Sequence, residues 1–181
     1  IDNRRTTMKK QKKSWIFLIL AIVMVVVIVI TIKVFFFPKK AVAKTFTEKE
    51  YTIKLTEDFA KEKIEGATYY YESDNAIVMV INEKASELAD IGIGEDSTVD
   101  DYMQAIIDNN KLPEKTKINK REDYRFISYE NGDKKSEKYY FVAVTFRQGD
   151  EFWLMNFACR QTDDQKFKDQ FFKWADSVKF K

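Results

Sequence analysis

Apolar and polar positions follow two different regimes along the chain. From Trp15 to Ile32 every residue except Thr31 is apolar, on all sides of any helix drawn through it. At ~1.5 Å per residue such a helix runs ~27 Å, the hydrocarbon thickness of a bilayer. Val34 to Phe37 add about a turn, with Lys33 snorkelling to the interface, and Pro38 ends the helix. The pattern predicts a membrane-spanning helix over residues 15–37, behind a basic tail over residues 1–14. A core helix would keep a polar face, which this segment lacks.

From residue 51 the period changes to two. Tyr51, Ile53 and Leu55 alternate with Thr52, Lys54 and Thr56, a half-buried strand. Thr68–Glu72 and Ala76–Ile81 flank Ser73-Asp74-Asn75 and read as a hairpin, its second strand apolar enough for burial on both faces. Thr98-Val99-Asp100-Asp101 has the form of a capping box, and Val99, Tyr102, Met103, Ile106 and Ile107 share one helical face before Pro113. Residues 85–96 connect the two. Lys115–Arg121 alternates weakly, and Tyr124–Glu130 more clearly, up to the turn Asn131-Gly132-Asp133. Tyr139–Phe146 and Phe152–Cys159 are near-continuous apolar runs around Gln148-Gly149-Asp150, expected as central paired strands. Thr162-Asp163-Asp164-Gln165 reads as a second capping box, opening a helix with Phe167, Phe171, Trp174 and Val178 on one side. The expected class is α+β: an N-terminal transmembrane helix, a polar stalk over residues 38–50, then residues 51–181 as an antiparallel sheet covered by helices.

Charge adds topology. Residues 1–43 hold nine of the 31 Lys and Arg but one of the 29 acids, so the remainder carries six more acids than bases. The basic side of a span stays in the cytoplasm, which places the N-terminus inside and the folded domain outside, as a single-pass protein of the cell membrane. Ala41-Val42-Ala43 has the form of a signal-peptidase site, so cleavage at Ala43 is the competing reading of an uncleaved anchor. An acidic outer domain excludes nucleic acid as a partner.

The chain has no His and a single Cys. Catalytic chemistry that needs imidazole is therefore absent, as are disulfide frameworks and thiolate zinc sites. The paired acids Asp100-Asp101 and Asp163-Asp164 sit at helix starts and read as caps, and Cys159 reads as a buried, inert thiol. Neither a catalytic, a metal nor a cofactor site is expected. Tyr69-Tyr70-Tyr71 and Tyr139-Tyr140 remain. Alternation along a strand forces some of these rings outward, and Tyr69, Tyr71 and Tyr139 are the candidate partner contacts.

The opening strand Tyr51–Leu55, the long hairpin Lys138–Arg160, and the closing helix around Lys166–Phe172 leading to Val178-Lys179-Phe180 together resemble the PsbP-like fold. That fold is shared by photosystem extrinsic proteins, a Ran-GTPase release factor and many bacterial secreted or lipid-anchored proteins. The resemblance implies an α/β/α sandwich over about residues 46–181. It also implies a mostly non-catalytic role in binding other proteins or membrane complexes. The expected function is a non-enzymatic accessory module, tethered to the bilayer through residues 15–37 and binding an envelope or membrane protein in a Gram-positive-type bacterium. A small-ligand sensor or carrier, with a pocket between helix and sheet, is the alternative.

Overall fold

The computed structural model of the protein describes residues 42–131 and 138–181. Strands β1 (Ala43–Thr47), β2 (Tyr51–Thr56) and β10 (Lys179–Phe180) form a small antiparallel sheet in the order β1-β2-β10. A larger antiparallel sheet holds β3 (Ala60–Glu62), β4 (Tyr69–Glu72), β5 (Ala76–Lys84), β6 (Asn119–Lys120), β7 (Arg125–Asn131), β8 (Tyr139–Gln148) and β9 (Glu151–Arg160). Their order is β3-β4-β5-β9-β8-β7-β6, so the apolar strands β9 and β8 lie inside, as their composition requires. Helices α1 (Val99–Asn109) and α2 (Asp164–Ala175) pack on opposite faces of this sheet.

Alternation along the strands decides which residues meet which layer. Val78, Val80, Val142, Val144, Trp153, Met155 and Phe157 face inward, onto α2 and the small sheet. Phe171 and Trp174 of α2 meet Phe157 at ring distances of 5.7 and 6.3 Å, and Tyr51 of β2 meets Trp153 at 5.7 Å. Each such buried ring contributes roughly 1.5–3 kcal/mol. On the outer face, Tyr102 of α1 stacks on Phe152 at 4.7 Å, while Met103 and Ile107 pack on Ile127 and Ala143. The layers are therefore α1, the large sheet, then α2 beside the small sheet.

Several local expectations are met. The Thr98 hydroxyl accepts the Asp101 amide at 3.2 Å, and the Asp101 carboxylate accepts the Thr98 amide at 2.7 Å, a complete capping box. Arg125 on β7 binds the Asp100 carboxylate at 2.8 Å and ties α1 to the sheet. Gly149 turns β8 into β9 with φ of 63°.

Other expectations need correcting. Residues 43–47 are not stalk: they pair with β2 in the register Phe46↔Ile53, because Phe46 and Glu48 point inward and find partners there. The second capping box does not form. Residues 161–163 make a 3-10 turn, Asp163 occupies the N-cap without a side-chain bond, and Asp164 instead pairs with Lys168 at 2.8 Å. β5 is fully buried on its inner face and half-buried on its outer one, since α1 covers only part of the sheet. The weak alternation of residues 115–121 becomes the two-residue strand β6. The span expected over residues 15–37 lies outside the described residues; among those described, no helix is long and apolar enough to cross a membrane.

Candidate functional site

The three candidate tyrosines separate into two environments. Tyr71 lies on the inner face of β4 and is 0% exposed, so it contacts no partner. The expectation fails because residues 69 and 71 share the face that receives the small sheet. The Tyr71 hydroxyl donates to Glu48 at 2.8 Å and lies 3.0 Å from the Tyr51 hydroxyl. Lys61 binds the second Glu48 oxygen, and Lys181 binds the Glu48 carbonyl. Tyr69, half-buried on the same face, donates to Glu50 at 2.6 Å. This cluster closes the joint between the two sheets: each hydroxyl has a partner, which a buried polar group needs. Burial first, then its bond to the Glu50 carboxylate, pushes the Tyr69 hydroxyl up to about 12. Burial drives Tyr51 and Tyr71 further in the same direction.

Tyr139 lies on the outer face, is 38% exposed, and is accompanied by a residue that the sequence reading left out, Tyr70. The strand registers align Glu72, Ile77, Ala158, Phe141 and Tyr129 in one cross-strand row. Arg160 and Tyr139 stand opposite each other in the next row. α1 covers the other half of this face, over Phe152, Ala143 and Ile127, and leaves these rows uncovered. The result is an open groove of about 410 Å³, lined by Tyr70, Glu72, Ile77, Tyr139, Phe141 and Arg160 among others. Its floor is apolar and its rim polar. Phe141 is held by stacking on Tyr129, with ring centroids 5.0 Å apart and planes 8° from parallel. On the α1 side of the floor, the Asn156 side-chain oxygen is buried without a hydrogen-bond partner. Glu72 draws a hydrogen bond from Tyr70, whose hydroxyl is shifted upward by burial first and then by that carboxylate.

The remaining candidate chemistry is accounted for locally. Cys159 is buried on the inner face, and burial followed by Asp163 and Asp164 pushes its thiol up to about 11, so little thiolate forms at neutral pH. Asp176 binds Arg121 at 2.7 Å and the Tyr124 hydroxyl at 2.6 Å, which ties the end of α2 to the segment before β7. Among the described residues no three His, Cys, Asp or Glu side chains are grouped to hold a metal ion.

This architecture is the PsbP-like fold. The solution structure of cyanobacterial PsbP (CyanoP) from Synechocystis sp. PCC 6803 superposes with a TM-score of 0.51 at 10% identity, covering 80% of this chain and 96% of that one. The crystal structure of the Saccharomyces cerevisiae Ran-binding protein Mog1p superposes with a TM-score of 0.52 at 7% identity, covering 77% and 96%. No protein-family model matches the sequence, and no curated protein does.

Proposed function

We propose that this chain is a non-enzymatic protein-binding accessory module, anchored in the cell membrane through residues 15–37 with residues 42–181 outside the cell. The observation that carries the binding role is the uncovered half of the outer sheet face. Its floor of Ile77, Ala158 and Phe141, edged by Tyr70 and Tyr139, offers an apolar centre with a polar rim, the anatomy of a protein interface. Tyrosine suits that use because it presents a large surface with few rotors to immobilise. One solved structure of this fold is of a Ran-binding protein, which supports protein binding as work for such a sheet. The ligand-carrier alternative needs a hollow beneath a helix; here Tyr102, Met103 and Ile107 of α1 fill that space.

The anchor rests on the apolar run and the charge asymmetry of residues 1–43. Tethering then raises the local concentration of the groove for envelope partners, so a weak contact suffices. The test uses the detergent-solubilised full chain, with partner capture quantified for wild type and for Tyr139→Asp. A charge at the groove rim should weaken capture of a membrane or envelope protein at least tenfold while leaving the melting temperature unchanged. Equal capture by both forms, or a melting shift produced by a metabolite in place of any protein, would contradict the proposal.

A further inference from the structure

The place where the chain enters the domain says which partners the groove can reach. The Val42 carbonyl accepts the Glu57 amide at 2.9 Å, so the incoming chain is fixed beside the connection from β2 to β3. β3 then starts at Ala60 opposite Glu72, at the end of β4. The 73–75 turn leads to Ala76, which stands opposite Cys159, and Cys159 stands opposite Tyr140. The incoming chain and the groove therefore occupy the same end of the domain. Across the sheet, β3 and β8 are four strand spacings apart, ~19 Å. Along the chain, the residues between Phe37 and Val42 extend at most ~18 Å.

From these two lengths we infer that the groove receives an extended segment of an integral membrane protein lying just outside its own membrane span. Its docking residues fall within roughly 40 Å of the end of the apolar run. This rests on the reading of residues 15–37 as an anchor and of the groove as a docking surface. The chemistry of the segment follows from the lining. An apolar side chain fits the floor of Ile77, Ala158 and Phe141, and a backbone or side-chain N–H suits the unpaired oxygen of Asn156. Lys or Arg beside it meets Glu72 and Asp74 at the rim of a domain with six more acids than bases. The same acids disfavour an anionic lipid surface as occupant.

The test places the photocrosslinker p-benzoylphenylalanine at position 139 of the full chain in native membranes. It is run with the native linker and with about twenty Gly/Ser residues inserted between Ala41 and Val42. The inference expects an adduct on an integral membrane protein, mapped within about ten residues of a membrane span (one short extended segment). Lengthening the linker should slow adduct formation about tenfold, because effective concentration falls as roughly the −3/2 power of length. Adducts on lipid, on a secreted protein or far from any span overturn the inference. So does a rate that the longer linker leaves unchanged or raises. The underlying reading fails in a different way: the protein washes off membranes with alkaline carbonate, or position 139 yields no adduct.

Discussion

At the residue scale, the distinction that matters is between neighbouring tyrosines. Tyr71 is a structural group whose hydroxyl satisfies Glu48, and Tyr70, one position away, lines the open groove. Replacing Tyr71 by Phe leaves a buried carboxylate oxygen and the Tyr51 hydroxyl short of a partner. Urea denaturation of Tyr71→Phe should show a loss of about 1–3 kcal/mol. The same cluster sets a pH dependence. Tyr51, Tyr69 and Tyr71 keep their protons in the fold above the ordinary value of 10.0 at which the unfolded chain begins to lose them. Between these values the folded state binds more protons, so rising pH favours unfolding. The urea midpoint should hold up to about pH 9.5 and fall by about pH 11, with a smaller fall in Tyr71→Phe. A midpoint that is level across that range would show that these hydroxyls are not buried.

At the scale of elements, the sequence disclosed those whose signals are local. The box Thr98–Asp101 contains its own partners, and β8 and β9 are apolar enough to identify themselves as interior strands. β1 was misread because only Phe46 and Glu48 of its stretch turn inward, and both find their partners on distant strands. The facing of β4 was hidden for a related reason. Both sets of alternate residues in Tyr69-Tyr70-Tyr71 are aromatic, and both sets in β5 are apolar, so the period of two is visible but its phase is not. Only the small sheet, assembled from the two ends of the domain, decides it. If β1 belongs to the folded domain, Phe46→Ala should cost about 3 kcal/mol or more in thermal or chemical unfolding. A stalk residue would cost nothing measurable.

At the scale of the molecule, the two faces of the large sheet are treated unequally. The inner face is closed by α2 and the small sheet, while the outer face is covered by α1 over half its length. Isolated apolar residues on a surface mean little, but an apolar floor ringed by polar groups on an otherwise covered sheet marks a contact site. The alternation of the strands made the sheet legible in the sequence. The groove was not legible, because it results from α1 being shorter than the face that it covers. The account stands on that half-face being occupied in the membrane of the cell. The most direct measurement is carbene or hydroxyl-radical footprinting of the full-length protein in intact membranes against the same protein purified in detergent. Tyr70, Tyr139 and Phe141 should label several-fold less in membranes, while exposed residues elsewhere, such as Ile64, label equally. Equal labelling of the groove in both states would show that nothing docks there.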